Sequence, residues 1–341
     1  MKKILLTLTF CTIFVAWGLL SASELTDEHT VVRGERPPVS LKSLTAADYE
    51  AGKIYVKFKA EYSNLVQSGF SLDKNQYIKT GLPELDVLNQ QYLASEYKQI
   101  IQTVYSSNQK STQYKQRHQA WGFHLWFEVK LAEDAKVLEA VEAFQSNPAI
   151  ELAEPLYTKV LYTQKASTEN SEDLVPGMPP SNVIVDRYTP DDPLLGAQWH
   201  YNNTGTNGGT AGKDISLFDA WDIEKGHNDV IVAIIDGGIQ TDHEDLAGNM
   251  WSGVGYNFVD DNSTIIPHSH GTHVAGTVAA ETNNNTGVAG VAGGSGSNDG
   301  VRLMSCQVFK AVEGGDMGGG FAEAMIYAAD NGAAISQNSW G

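Results

Sequence analysis

The spacing of apolar residues changes character along the chain. In "KIYVKFKAEY", Ile54, Val56 and Phe58 alternate with polar neighbours, the period of a half-buried strand. "FHLWFEV" predicts a second strand. "DAKVLEAVEAFQSNP" puts Val137, Leu138, Val141 and Phe144 on one helical face, with Asp134 as the expected N-cap and Pro148 opposing continuation. "AIELAEPLYTKVLY" reads as the strand that follows. These elements predict a small α+β domain, and taken alone this region shows no catalytic constellation.

A different pattern begins near residue 230. "VIVAII", residues 230–235, has no polar face, as expected of a strand covered on both sides. "GTHVAGTVAA" is uncharged and rich in small residues, which predicts a helix buried all round. "VRLMSCQVF" is the next strand. "GFAEAMIYAADNG" is a helix that Gly332 would end, and "AAISQNSW" begins another strand. This alternation predicts an α/β fold, with a parallel sheet and crossover helices.

Composition separates the same two regions. The chain has 341 residues, enough for two domains. Of its 33 glycines, 26 lie from Gly196 onward. Residues 187–341 carry 5 basic and 19 acidic side chains, and the whole chain has a net charge of −18. Such a balance opposes nucleic acid as a partner, since gripping phosphates needs a basic surface. "STENSEDLVPGMPPSN" reads as an exposed linker between the regions.

The first 23 residues read as a signal peptide. Lys2 and Lys3 precede an uncharged apolar stretch, and Ser21-Ala22-Ser23 offers small residues for cleavage. The alternative is a retained membrane anchor. The expected location is secreted or extracytoplasmic, with no membrane association after signal removal. Only Cys306 then remains, so no internal disulfide is available.

Asp236 follows directly after the predicted buried strand, where catalytic groups of parallel α/β sheets gather, although Asp-Gly is also a common turn pair. A dinucleotide site is disfavoured because the spacing G-x-G-x-x-G is absent and an anionic Asp236 would repel pyrophosphate. His270 begins the small-residue helix. A general base needs an imidazole held in one tautomer, and a buried carboxylate accepting its Nδ1–H does that.

"VAIIDGGI" and "HGTHVAGT", in that order, resemble the aspartate and histidine motifs of the subtilisin-like serine proteases, a family the triad order Asp, His, Ser describes. The resemblance covers residues 191–341 and includes "DPLLGAQWHYNNTG" and the final "NSWG". It implies that His270 is the base and Asp236 its orienting partner. By the same resemblance His273 is structural, while His268 departs from the pattern and reads as a loop residue. Ser339, Trp340 and Gly341 would line the cleft beside a bound peptide. The implied layout is a signal peptide (1–23), a pro-region (24–164), a linker with the maturation site (165–190), and the N-terminal part of a peptidase domain (191–341). Protein or peptide substrates are the implied partners, with the pro-region as intramolecular inhibitor.

The family's serine lies in a G-T-S-x-A motif, and no such motif occurs here. Neither Ser336 nor Ser339 matches it, so the chain reads as an N-terminal fragment expected to be inactive alone. Two other classes stay open: a non-catalytic binding or inhibitory remnant, and a metal-dependent hydrolase. For the latter, His268, His270 and His273 are suggestive, but H-E-x-x-H is absent. No organic cofactor is implied. Calcium is, because Asp245 matches an aspartate that ligates it in several family members, and the loop "ETNNNTG" (281–287) supplies amide oxygens. A solvated asparagine turn is the alternative.

Overall fold

The computed structural model describes residues 41–101, 110–161, 187–206 and 209–341. The expected signal peptide, the start of the pro-region, and most of the linker with its maturation site lie outside the described residues. Among the described residues, no helix is long and apolar enough to cross a membrane.

The first region begins with β1 (Tyr49–Phe58), α1 (Ser63–Ser68), α2 (Pro83–Gln91) and β2 (Glu96–Gln99). It continues with α3 (Lys110–Trp121), β3 (Trp126–Lys130), α4 (Val137–Gln145) and β4 (Ile150–Tyr157). Its four strands form an antiparallel sheet in the order β2-β3-β1-β4. The alternation in β1 does its expected work: Ile54, Val56 and Phe58 are wholly buried, and Val56 lies between Phe127 of β3 and Ala153 of β4. Two local expectations change. Gly122, at φ 73°, turns the chain into a 3-10 turn over Phe123–Leu125, so the second strand begins only at Trp126. A turn from Ala132 to Ala135 delays α4, which starts after an extended Lys136. Asp134 is therefore not its N-cap, and Ala140 rather than Leu138 completes the buried stripe with Val137, Val141 and Phe144.

The second region contains α5 (Leu217–Trp221), β5 (Ile231–Gly237), β6 (Met250–Asn257) and α6 (Ser269–Ala279). After these come β7 (Arg302–Val312), β8 (Gly315–Gly318), α7 (Phe321–Asp330) and β9 (Ile335–Asn338). The sheet runs β8-β7-β5-β9, with β6 also on β7. Its pairings are parallel except for the β7–β8 hairpin. The unbroken apolar run of β5 is explained by its two covered faces. Val232 and Ile234 pack with Ala275 and Ala279 of α6, whereas Ala233 and Ile235 pack with Ala324 and Ala328 of α7. Burying each large aliphatic side chain there stabilises the fold by about 1.5–3 kcal/mol. Gly332, at φ 88°, follows the end of α7 as expected.

One expectation fails on α6. Gly271, Ala275 and Ala279 are buried, but Ser269, His273 and Thr277 are exposed, so the helix is covered on one face only. The two regions also touch. Asp330, buried in the last turn of α7, is held by Arg117 and, at 2.9 Å, by His118 Nε2 of α3.

Candidate active site

Asp236 sits in the penultimate position of β5 and is completely buried. Its Oδ1 accepts the Gly237 backbone N–H at 2.6 Å and His270 Nδ1–H at 2.7 Å. Since a carboxylate has no proton to give, the imidazole must carry its proton on Nδ1, which leaves Nε2 as the basic nitrogen. Burial pushes the Asp236 carboxyl above its ordinary range, opposed by the hydrogen bonds from His270 and Gly237. Asp236 Oδ2 has no partner among the described residues. The contact depends on close approach of helix and strand. A Cβ at Gly271 would lie 2.0 Å from the Gly237 carbonyl oxygen, so only glycine permits α6 to begin there.

The two other histidines fall apart in role. His268 is the N-cap of α6. His273, expected to be structural, has an exposed side chain on the open face of the helix.

Trp340 Nε1 donates to the Ile235 carbonyl at 2.7 Å, tying the 339–341 segment to the strand that carries Asp236. Gln337 Nε2 donates to Ser339 Oγ at 2.7 Å. The segment also pairs with the tail of the first region, residues 158–161. Val160 N–H donates to the Gly341 carbonyl at 3.0 Å, Gly341 N–H returns a bond to Val160 at 3.1 Å, and Leu161 faces Trp340 in an antiparallel bridge. Leu161 is buried, Val160 is 56% exposed, and Lys159 Nζ lies 5.0 Å from the centre of the Phe321 ring. Lys159 and Leu161, alternate residues of the tail, thus lie against Phe321 and Trp340.

Asp245 is buried; its Oδ2 accepts Val288 N–H at 2.9 Å and its Oδ1 accepts Asn284 Nδ2 at 3.1 Å. The pattern along the chain did not single out Asp192, which is equally buried. Its Oδ2 accepts Asn283 N–H at 2.8 Å, while its Oδ1 is unpartnered among the described residues. Burial raises both carboxyls, and the Asp245 charge raises Asp192 further. Two desolvated carboxylates beside an asparagine-rich loop fit a hard cation such as calcium. Asp192, Asp245 and amide oxygens of residues 281–287 would be its donors. Among the described residues, no cluster of three or more His, Cys, Asp or Glu side chains is placed to hold a metal. The signal in the sequence was slight: a pair of aspartates in "DDP".

Residues 227–341 match the Subtilase family of peptidases. Over these residues the chain is similar to the subtilases. Over 233 residues the chain is 33% identical to the halolysin-like extracellular serine protease Nep of Natrialba magadii, covering 63% of this chain and 37% of that protein. It is 37% identical over 163 residues to a thermophilic serine proteinase of Bacillus sp. strain AK1, covering 47% of this chain and 38% of that one. The chain therefore spans little more than a third of these relatives. In fold it is similar to fervidolysin of Fervidobacterium pennivorans, with a TM-score of 0.50 at 23% identity, over 88% of this chain and 37% of the other. That likeness extends the fold comparison beyond residues 227–341 into the α+β region.

Proposed function

We propose that this chain carries the pro-region and catalytic aspartate and histidine of an exported serine endopeptidase precursor. The observation that carries the reading is the 2.7 Å hydrogen bond from His270 to buried Asp236. Asp236 fixes the tautomer and stabilises the imidazolium; His270 Nε2 takes the proton of a serine hydroxyl as it attacks the peptide carbonyl, then gives it to the leaving amine. No serine within these 341 residues is assigned as that nucleophile. Ser339, Trp340 and Gly341 bind the substrate backbone by adding a strand to the cleft edge. The pairing of Val160 and Leu161 with this segment supports the pro-region as a built-in inhibitor, removed by cleavage between about residues 165 and 190. Calcium, held through Asp192 and Asp245, has a structural role. Export is supported by the N-terminal pattern and by a relative named as extracellular.

The test is a serine-directed fluorophosphonate probe and a broad peptide library applied to the intact protein. Labelling and hydrolysis in the wild type, both lost in His270→Ala, are expected. An unlabelled, inactive wild type would favour the non-catalytic remnant instead.

A further inference from the structure

We infer that His268 is a positioning residue that locks His270 onto Asp236. The inference rests on the protease reading for its importance but on geometry for its content. His268 is the extended N-cap of α6, at φ −129° and ψ 135°, and its Nδ1 accepts the His270 backbone N–H at 3.1 Å. A nitrogen that accepts an N–H carries no proton, so the ring's hydrogen is on Nε2. There it meets Asp316 Oδ1 of β8 at 3.0 Å.

The backbone of the same residue is equally committed. His268 N–H donates to the Gly238 carbonyl at 2.7 Å, and its carbonyl accepts Thr272 N–H at 3.0 Å. Its ring lies against Gly237, where an added Cβ would fall 2.6 Å from it. One residue thus joins the strand end after Asp236, the first turn of α6, and the β7–β8 hairpin. The charged group in contact with its ring is Asp316 from the hairpin, with the Asp236 carboxylate within electrostatic reach; Lys310, on the same hairpin, is engaged by Asp260. An imidazole is long enough to cap the helix with one nitrogen and reach the hairpin with the other. A shorter cap would satisfy only the helix.

Three versions of the intact protein test this: wild type, His268→Ala and His268→Asn. Asparagine retains an N-capping oxygen but cannot span to Asp316. In the intact protein His268→Ala is expected to lower kcat about 10- to 100-fold with KM within about twofold, since a small misplacement of a catalytic group costs on that order. His268→Asn is expected to recover only the part due to the helix cap, leaving a several-fold deficit in kcat from the lost Asp316 contact. A second readout does not need turnover. The hydrogen-bonded Nδ1 proton of His270 should give a low-field proton resonance that weakens most in His268→Ala and is partly restored in His268→Asn. If wild type shows the resonance without hydrolysis, the protease reading fails and the positioning claim is decided by the spectra. Should His268→Ala not fold, Asp316→Ala replaces it, with a several-fold loss of kcat and a weakened resonance expected. A folded variant retaining wild-type kcat and the full resonance overturns the inference.

Discussion

Val160 and Gly341 exchange both of their backbone hydrogen bonds, at 3.0 and 3.1 Å, so residues 160–161 of the first region pair antiparallel with residues 340–341. Val160→Pro removes one of the two donors while altering a side chain that is largely solvent-exposed. Losing one such bond is worth roughly 0.5–1.5 kcal/mol, or about a threefold to tenfold weaker inhibition. Inhibition of the mature enzyme by wild-type and variant pro-regions added in trans measures this. Equal inhibition constants would remove the tail from the inhibitory contact.

His270→Ala and Asp236→Asn are expected to lower kcat by roughly 10⁴-fold each, and the double variant by little more, because the pair acts as a unit. His273→Ala, on the exposed face of α6, is expected to keep most of the activity. Rates normalised to probe-titrated active sites check all of these. A reversed order would assign the base to His273.

Glu323, in the first turn of α7, is pushed up to about 7, chiefly by burial, with Glu128 and Asp261 adding to the effect and Lys98 opposing it. A carboxyl raised in the folded state favours the protonated form. Its contribution is full below the ordinary glutamate range, and stability is lost as pH rises towards about 7. The loss attributable to this group is roughly 3 kcal/mol. Denaturant melts from pH 4 to pH 8 are expected to show that decline in the wild-type precursor and a flatter profile in Glu323→Gln. Parallel profiles would show that Glu323 is not responsible.

Chelation is expected to lower the melting temperature of the precursor, and added calcium to restore it. Asp192→Asn and Asp245→Asn should each reduce that response. Equal melting temperatures with and without chelator would dismiss the cation. The Asp192 variant is the more informative, since Asp192 has the unpartnered oxygen.

The order of strands and helices was legible because each element's period follows from how many of its faces are covered. Thus "VIVAII" reads directly as a doubly covered strand, and β5 is one. Asp236 and His270 were legible through their motifs, but not the rigidity of their contact, which depends on Gly271 and on His268 as a cap. Uniformly small, uncharged residues on α6 did not reveal that one side stays open, because alanine, glycine and threonine suit a buried or an exposed surface. Asp192 was hidden for another reason. Its environment is assembled from the 281–287 loop, some ninety positions later, and local patterning does not report such distant contacts.

The Val160–Leu161 pairing also bears on solubility. The backbone bonds that hold the tail are the same ones an exposed sheet margin offers to any extended chain, including another copy of this protein. While the tail is in place those groups are occupied, so the precursor is shielded at the point where cross-β association would start. If the tail is removed as proposed, that cover is lost and only passing peptides would replace it. Concentrated mature protein starved of substrate is therefore the form expected to self-associate, and the zymogen the form to store.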